Sequence, residues 1–343
     1  MSTQRTVLIL GARGRFGLAA VRAFAQSDWQ VLAQVRPGAQ KSDELGPFPG
    51  VTRLSIGMAD QQALLDAATG ASVVVHALNP LYTNKEWRTV APALLAQSIA
   101  LTRALNACLM LPGNVYNYGE DMPTVLREDT PQRAKTVKGQ ARIAMEQDLA
   151  QACGDGQMQA VVIRAGDFFG CGKGSWLDQA MVPKLAKGQM TYPGDMNTAR
   201  AWAYLPDLAK TFVAVAEKRA ELPAFDTFNF SGYALTGNDW VNALTSVAQE
   251  QGWVKSKGAL KVGSLPWPLI RMGSVFNPVW ASLLEMRYLW DRTHRLDGAK
   301  LSAFLGEEPH TDFSAALLSS LQDLGLLGAL TPIAAQMSFQ PTR

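Results

Sequence analysis

Three cysteines and three histidines are all that the 343 residues contain. Cys108, Cys153 and Cys171 stand far apart with no Cys-x-x-Cys pair, so the sequence encodes neither a disulfide framework nor a zinc knuckle. His76, His294 and His310 are equally scattered, and no metal-ligating spacing joins them to the thiols. A nucleophilic cysteine–histidine pair through Cys171 would require a tertiary encounter that no spacing announces. Charge of either sign is scarce: 32 Lys and Arg face 29 Asp and Glu, a net of +3. No basic cluster with interleaved aromatics occurs, which argues against nucleic acid or an anionic membrane as the main partner. No apolar run reaches the length of a bilayer span, and the chain opens into a structural strand without a secretory signal. These absences predict a cytoplasmic protein built as one large domain or two coupled ones.

What is present starts at Thr6-Val-Leu-Ile-Leu10, followed by Gly11-Ala-Arg-Gly14-Arg-Phe-Gly17. The aliphatic run reads as a strand buried on both faces, as in parallel sheets. The glycines fall where that strand must turn into a helix burying Phe16, Ala20 and Phe24. Free amides at a helix start bind anions, and glycines let a pyrophosphate approach them. Residues 6–25 therefore read as the phosphate-gripping turn of a dinucleotide-binding βαβ unit, with Gly11, Arg13, Gly14, Arg15, Phe16 and Gly17 as cofactor residues. The second strand, Trp29–Val35, ends at Arg36, where an NAD-selective site carries an acid for the ribose 2′-hydroxyl. A guanidinium there suits a 2′-phosphate, so the expected cofactor is NADP(H), with Arg13, Arg15 and Lys41 adding positive charge.

Further strands are expected at Val51–Ile56, Ser72–His76, Asn114–Gly119 and Ala160–Arg164, with helices at Asp60–Ala68 and Val137–Cys153. The loop after His76 should line the cofactor through Leu78, Asn79 and Pro80. Glu86–Met110 reads as one long helix whose apolar positions exceed a single stripe, which raises the possibility of a homodimer through that helix beside that of ordinary core burial. Strand–helix alternation over the first 165 residues specifies an α/β, doubly wound parallel sheet. The boundaries expected are a nucleotide-binding core over 1–170 and a smaller, mixed, mainly substrate-binding region over 171–343, with about 203–231 returning to the core. The aromatic-rich Leu265–Trp290 could be a lid, an interface or core; an interfacial membrane helix is disfavoured by its missing charged face.

The ordered set Gly11/Gly14/Gly17, Asn79-Pro80, Tyr118-Gly119, Arg164-Ala-Gly-Asp-Phe-Phe-Gly170 and Ala203-Tyr-Leu-Pro-Asp207 resembles the extended short-chain dehydrogenase/reductases, in their NAD(P)-dependent epimerase/dehydratase branch. The resemblance implies a Rossmann-like core, and it places Gly166 and Phe168 beside the cofactor. It also exposes departures. The family's hydroxyl residue, Tyr and Lys correspond to Asn114, Lys138 and Arg142, so no Tyr-x-x-x-Lys exists and the chain resembles an atypical member.

Carbonyl reduction needs a proton donor at oxygen while hydride reaches carbon. Asn114 can donate to a developing oxyanion. Lys138 could supply a proton if its pKa were depressed, or could hold ribose or phosphate without proton transfer. Tyr116 or Tyr118 could replace the missing acid, and in a strand Asn114, Tyr116 and Tyr118 would share one face. The leading expectation is an NADP(H)-dependent oxidoreductase acting on a small, partly apolar carbonyl or alcohol. A nucleotide-sugar epimerase or dehydratase, and a catalytically silent NADP(H)-binding sensor, are the alternatives.

Overall fold

Side chains alternate along the first strand: Val7 and Ile9 enter one apolar cluster, Leu8 and Leu10 another on the opposite face. Burying a residue of this size contributes about 1.5–3 kcal/mol, so the strand is held from both sides. The computed structural model describes residues 5–38, 45 and 48–328. It begins with β1 (Thr6–Leu10), α1 (Arg15–Gln26), β2 (Gln30–Val35), β3 (Val51–Ser55), α2 (Gln61–Ala67) and β4 (Val73–His76). α3 (Asn84–Ala104) leads to β5 (Cys108–Gly113), a 3-10 turn at Tyr116–Tyr118, β6 (Val125–Leu126), α4 (Val137–Ala152), β7 (Gln159–Arg164) and β8 (Asp167–Phe169). β9 (Gln189–Tyr192), β10 (Arg200–Tyr204), α5 (Leu205–Glu217), β11 (Phe225–Asn229), β12 (Tyr233–Leu235) and α6 (Gly237–Glu250) follow. Last come β13 (Lys261–Ser264), α7 (Trp267–Gly273), α8 (Pro278–Glu285), α9 (Tyr288–Asp291), β14 (Arg295–Leu296), α10 (Ala299–Leu305) and α11 (Phe313–Asp323).

Seven strands form one parallel sheet in the order β11-β7-β5-β4-β1-β2-β3. The order reverses between β1 and β4, where ligands enter doubly wound sheets beyond the strand ends. α1 and α5 cover one face through Phe16, Phe24 and Phe212; α3 and α4 cover the other through Leu95, Leu101, Met145 and Leu149. A separate aromatic core around Phe169, Trp202, Trp240 and Trp290 holds the later region together.

Two expectations fail between residues 86 and 119. The long helix stops at Ala104, and its apolar tail is a strand, β5, at the centre of the sheet. Asn106 makes the break: it takes φ +49°, a left-handed turn that asparagine tolerates better than bulkier residues. Asn114–Gly119 is consequently no strand but a tight turn beyond β5. The α3 residues buried within the chain (Trp87, Ala91, Leu95, Ser98, Leu101, Thr102) form one stripe, and Ala93, Ala96, Ala100 and Ala104 are exposed.

Candidate active site

The glycine turn after β1 is built from backbone alone. Gly11 has φ +79°, and a Cβ there would lie 2.9 Å from the Ala77 carbonyl oxygen of the neighbouring β4 loop. A Cβ on Gly17 would come within 2.3 Å of the Gly11 oxygen, so the helix can start this close to the strand only without one. Gln34, fully buried at the end of β2, accepts from the Gly11 N–H through Oε1 (2.9 Å) and donates through Nε2 to the Ile56 oxygen (2.6 Å). It tethers three strand ends; the only sequence signal for it was a polar residue inside an apolar strand. The first turn of α1 has no side-chain cap and no acidic residue, which leaves amide groups for an anion.

A cavity of about 520 Å³ opens beside this turn, lined by Gly11, Arg13, Gly14, Arg36, Leu78 and Asn79 among others. Arg13 and Arg36 are exposed. Lys41 lies outside the described residues. Three expected contacts are placed differently. Arg15 donates to the carbonyl oxygens of Phe168 (3.3 Å), Gly170 (2.9 Å) and Gly174 (3.3 Å), so its guanidinium straps the loop after β7. Phe16 is core, 4.7 Å from the Phe212 ring centroid. Pro80 lines neither this cavity nor the next.

Asn79 also lines the second cavity, of about 710 Å³, together with Arg15, Asn114, Tyr116, Arg142, Gly166 and Phe168. Its inner end is polar. The Tyr116 backbone N–H donates to Asn114 Oδ1 (3.0 Å); with that oxygen engaged, the amide's donor end is left for a ligand. The Tyr116 hydroxyl lies 3.4 Å from the Tyr82 hydroxyl. Burial is the main cause raising the Tyr116 pKa to about 12, with Arg142 and Arg200 opposing it, so the phenol stays protonated at neutral pH. Arg142 donates to the Pro112 oxygen (3.3 Å) and stacks 5.1 Å from the Trp87 ring centroid, while its buried Nε has no hydrogen-bond partner. Asp167 borders the cavity and pairs with the buried Arg200, whose guanidinium sits 3.4 Å from the Trp290 ring centroid. Tyr82, Trp87 and Asp167 also line the cavity; Tyr82 lies in the loop after His76 and Asp167 within Arg164–Gly170, while no sequence signal marks Trp87. The outer wall is apolar: Leu265, Leu269, Ile270, Val279, Trp280 and Leu283.

Two candidate catalytic residues lie elsewhere. Tyr118 is buried; its hydroxyl donates to the Arg127 oxygen (3.3 Å) and accepts from Arg164 Nη1 (2.9 Å). In a turn rather than a strand, Tyr116 and Tyr118 do not share a face. Lys138 lines neither cavity and is fully buried. Its Nζ donates to Asn84 Oδ1 (2.6 Å), lies 3.8 Å from Glu285 Oε2, and sits 4.4 Å from the Tyr82 ring centroid. Burial lowers its pKa to about 8, opposed by Glu285. It joins α4 to α3 and α8 behind the cavity wall. Lys138→Met, which leaves the Asn84 and Glu285 oxygens without their donor, is accordingly expected to cost about 1–3 kcal/mol in urea unfolding, with NADPH affinity unchanged by calorimetry. A weakened affinity at full stability would return Lys138 to the cofactor.

Among the described residues no group of His, Cys, Asp and Glu could hold a metal ion, and no helix is long and apolar enough to cross a membrane. The model of the NAD dependent epimerase/dehydratase family matches residues 7–230. A candidate epimerase from Burkholderia cenocepacia J2315 superposes with a TM-score of 0.72 at 19% identity, over 93% of this chain and 97% of that one. UDP-glucose 4-epimerase from Thermotoga maritima, solved with UDP-glucose, gives 0.70 at 14% identity, over 93% and 98%. MoeE5 in complex with UDP-glucose and NAD gives 0.68 at 16% identity, over 93% and 98%. At these identities the likeness is one of fold. No curated protein sequence matches the chain.

Proposed function

The chain belongs to the NAD dependent epimerase/dehydratase family, and from that premise we propose that it is an NADP(H)-dependent oxidoreductase acting on a small, partly apolar carbonyl or alcohol. The observation that carries this reading is the larger cavity, which sets a phenol, an amide and a guanidinium at its inner end against an apolar outer wall. Arg13 and Arg36 line the glycine-turn cavity where an acid would be expected for NAD, which favours a 2′-phosphate. Gly11, Gly14 and the amides of α1 would hold the pyrophosphate, and Asn79, common to both cavities, would lie along the path between the two ends.

The bound nicotinamide would supply or take up the hydride. At the substrate oxygen, Tyr116 gives the proton and Asn114 donates a hydrogen bond from Nδ2. The Tyr82 hydroxyl, 3.4 Å from that of Tyr116, can donate a hydrogen bond to the phenolate, which regains its proton from solvent through the open cavity. Arg142, which lines that end of the cavity, stabilises negative charge there.

A nucleotide-sugar epimerase is the second reading, favoured by the named activities of the structural neighbours. Against it stands the charge of the cavity. Among the described residues, Arg15 and Arg142 are the cations that line it; Arg15 already donates to three backbone carbonyls and Arg142 to one, which leaves little free positive charge for a diphosphate. Pairing of two chains through the exposed face of α3 belongs to the same proposal. The test is a screen of aldehydes and ketones by NADPH oxidation. Turnover with exchangeable NADPH supports the first reading, NAD retained through purification supports the second, and tight NADPH binding without turnover would point to a sensor. In Arg36→Ala, the preference for NADPH over NADH is expected to fall about tenfold, the worth of a charge-assisted contact. An unchanged ratio removes Arg36 from the site.

A further inference from the structure

The apolar outer wall of the larger cavity is built by two short helices that are held from behind. In α8, Asn277 Oδ1 accepts from the Val279 (2.9 Å) and Trp280 (3.3 Å) N–H groups. Ser282 donates to Asn84 Oδ1 (3.0 Å), and Glu285 accepts from the Val137 N–H. Trp267 anchors α7 by donating through Nε1 to the Pro193 oxygen (2.6 Å). Val279 and Leu283, one turn apart on α8, line the cavity with Trp280, and Leu269 and Ile270 line it from α7. The Trp280 indole owes its place to Gly273, where a Cβ would lie 2.3 Å from the ring.

This wall is uncovered as well as apolar. Leu269 is 58% exposed, Val279 41% and Trp280 38%, although all three line a cavity. Large apolar side chains at a pocket mouth are surface that a ligand can remove from water. The wall also carries no charge: between residues 265 and 284 the single charged side chain is Arg271, which does not line the cavity. Elsewhere in the lining, Ser175 donates to Asp178 Oδ1 (2.7 Å) and Arg15 to three carbonyls, so these donors are already engaged. A row of hydroxyls laid along α7 and α8 would leave water without gaining partners. A row of methylenes gains by leaving it.

We infer that the substrate carries an apolar tail, and that the α7–α8 wall, with Trp280 as its largest contact, selects the length of that tail. The inference rests on the proposed reading in which Tyr116 and Asn114 hold the carbonyl oxygen. It narrows the substrate to amphipathic carbonyl compounds with the polar group at one end. The polar groups lie at the inner end of the cavity and the apolar wall outside them, so the carbonyl enters first and the tail trails toward the mouth. Trp280 is thus a specificity residue that touches the tail and not the reacting atoms.

Primary amides separate tail recognition from chemistry, because Tyr116 and Asn114 can hydrogen-bond them while NADPH does not reduce them. Butanamide, hexanamide and octanamide are titrated into the full chain by calorimetry, with and without NADPH, and NADPH affinity is measured on the same samples. Affinity is expected to rise about 10-fold for each two methylenes. Trp280→Ala is expected to weaken octanamide about 10-fold, and Leu269→Gln about 3-fold, with butanamide and NADPH unchanged. Leu269 is the more exposed of the two, so its variant decides the matter should Trp280→Ala fail to fold. Three results would overturn the inference: a flat amide series, a rise with length that neither variant reduces, or UDP-glucose binding more tightly than octanamide. Loss of NADPH binding with the amide slope intact would refute the cofactor reading and leave the tail site standing.

Discussion

Replacing Tyr116 by Phe is expected to lower turnover of the best carbonyl substrate by about a hundred- to ten-thousand-fold, the usual worth of a positioned acid, with NADPH affinity unchanged. Tyr116 is a phenol on the wall of the larger cavity whose hydroxyl lies beside that of another tyrosine. Held near a pKa of 12 mainly by burial, it carries its proton across the neutral range. Arg142, four residues beyond Lys138 on α4, adds positive charge that stabilises the phenolate left after transfer. Tyr118→Phe is the control. Its hydroxyl is committed to Arg127 and Arg164, so turnover should stay near wild type. Equal losses in the two variants would mean that the hydroxyls act through structure, and the assignment of Tyr116 would fail.

Glu146→Ala is expected to cost about 3–5 kcal/mol in stability, as for breaking a buried ion pair. The Glu146 carboxylate accepts from Arg164 Nε (3.1 Å) and Nη2 (2.7 Å), Asn117 Nδ2 (3.3 Å) and Gln132 Nε2 (2.8 Å). The pair is 3% and 6% exposed. Without the carboxylate, Arg164 keeps its charge in the interior with the Tyr118 hydroxyl and the Glu128 oxygen as its remaining acceptors. Urea unfolding at neutral pH measures the loss; a change below ~1 kcal/mol would mean that water reaches the site. The same network explains why Tyr118 is unavailable for chemistry: it serves the cation at the end of β7.

The glycine turn after β1 is the more readable half of the candidate site, because its information is local. A strand, three glycines and a helix start lie within twenty residues, and Arg36 follows directly on β2. Most sheet strands and the Asp60 cap of α2, which accepts from the Ala63 N–H, follow from patterns of similar length. The chemical end was less readable. Residues 105–112 are almost all apolar, and a short apolar run does not distinguish helix from strand. A break at Asn106 moved β5 and made Asn114–Gly119 a turn, so that Tyr116 lines the cavity and Tyr118 does not. Lys138 and Arg142 are one helical turn apart, yet their roles separate because Asn84 and Glu285, distant in sequence, claim the lysine. The partners of Arg15 are equally remote in sequence: three carbonyls about 155 residues away accept from its guanidinium.

Titration of the folded chain with NADPH and NADH in a calorimeter tests most directly whether the turn after β1 is a dinucleotide cradle. Saturable binding of one nucleotide per chain is expected, tighter for NADPH, with a stabilisation of about 2.7 kcal/mol at a hundredfold excess over Kd. No heat and no rise in melting temperature with either nucleotide would contradict it.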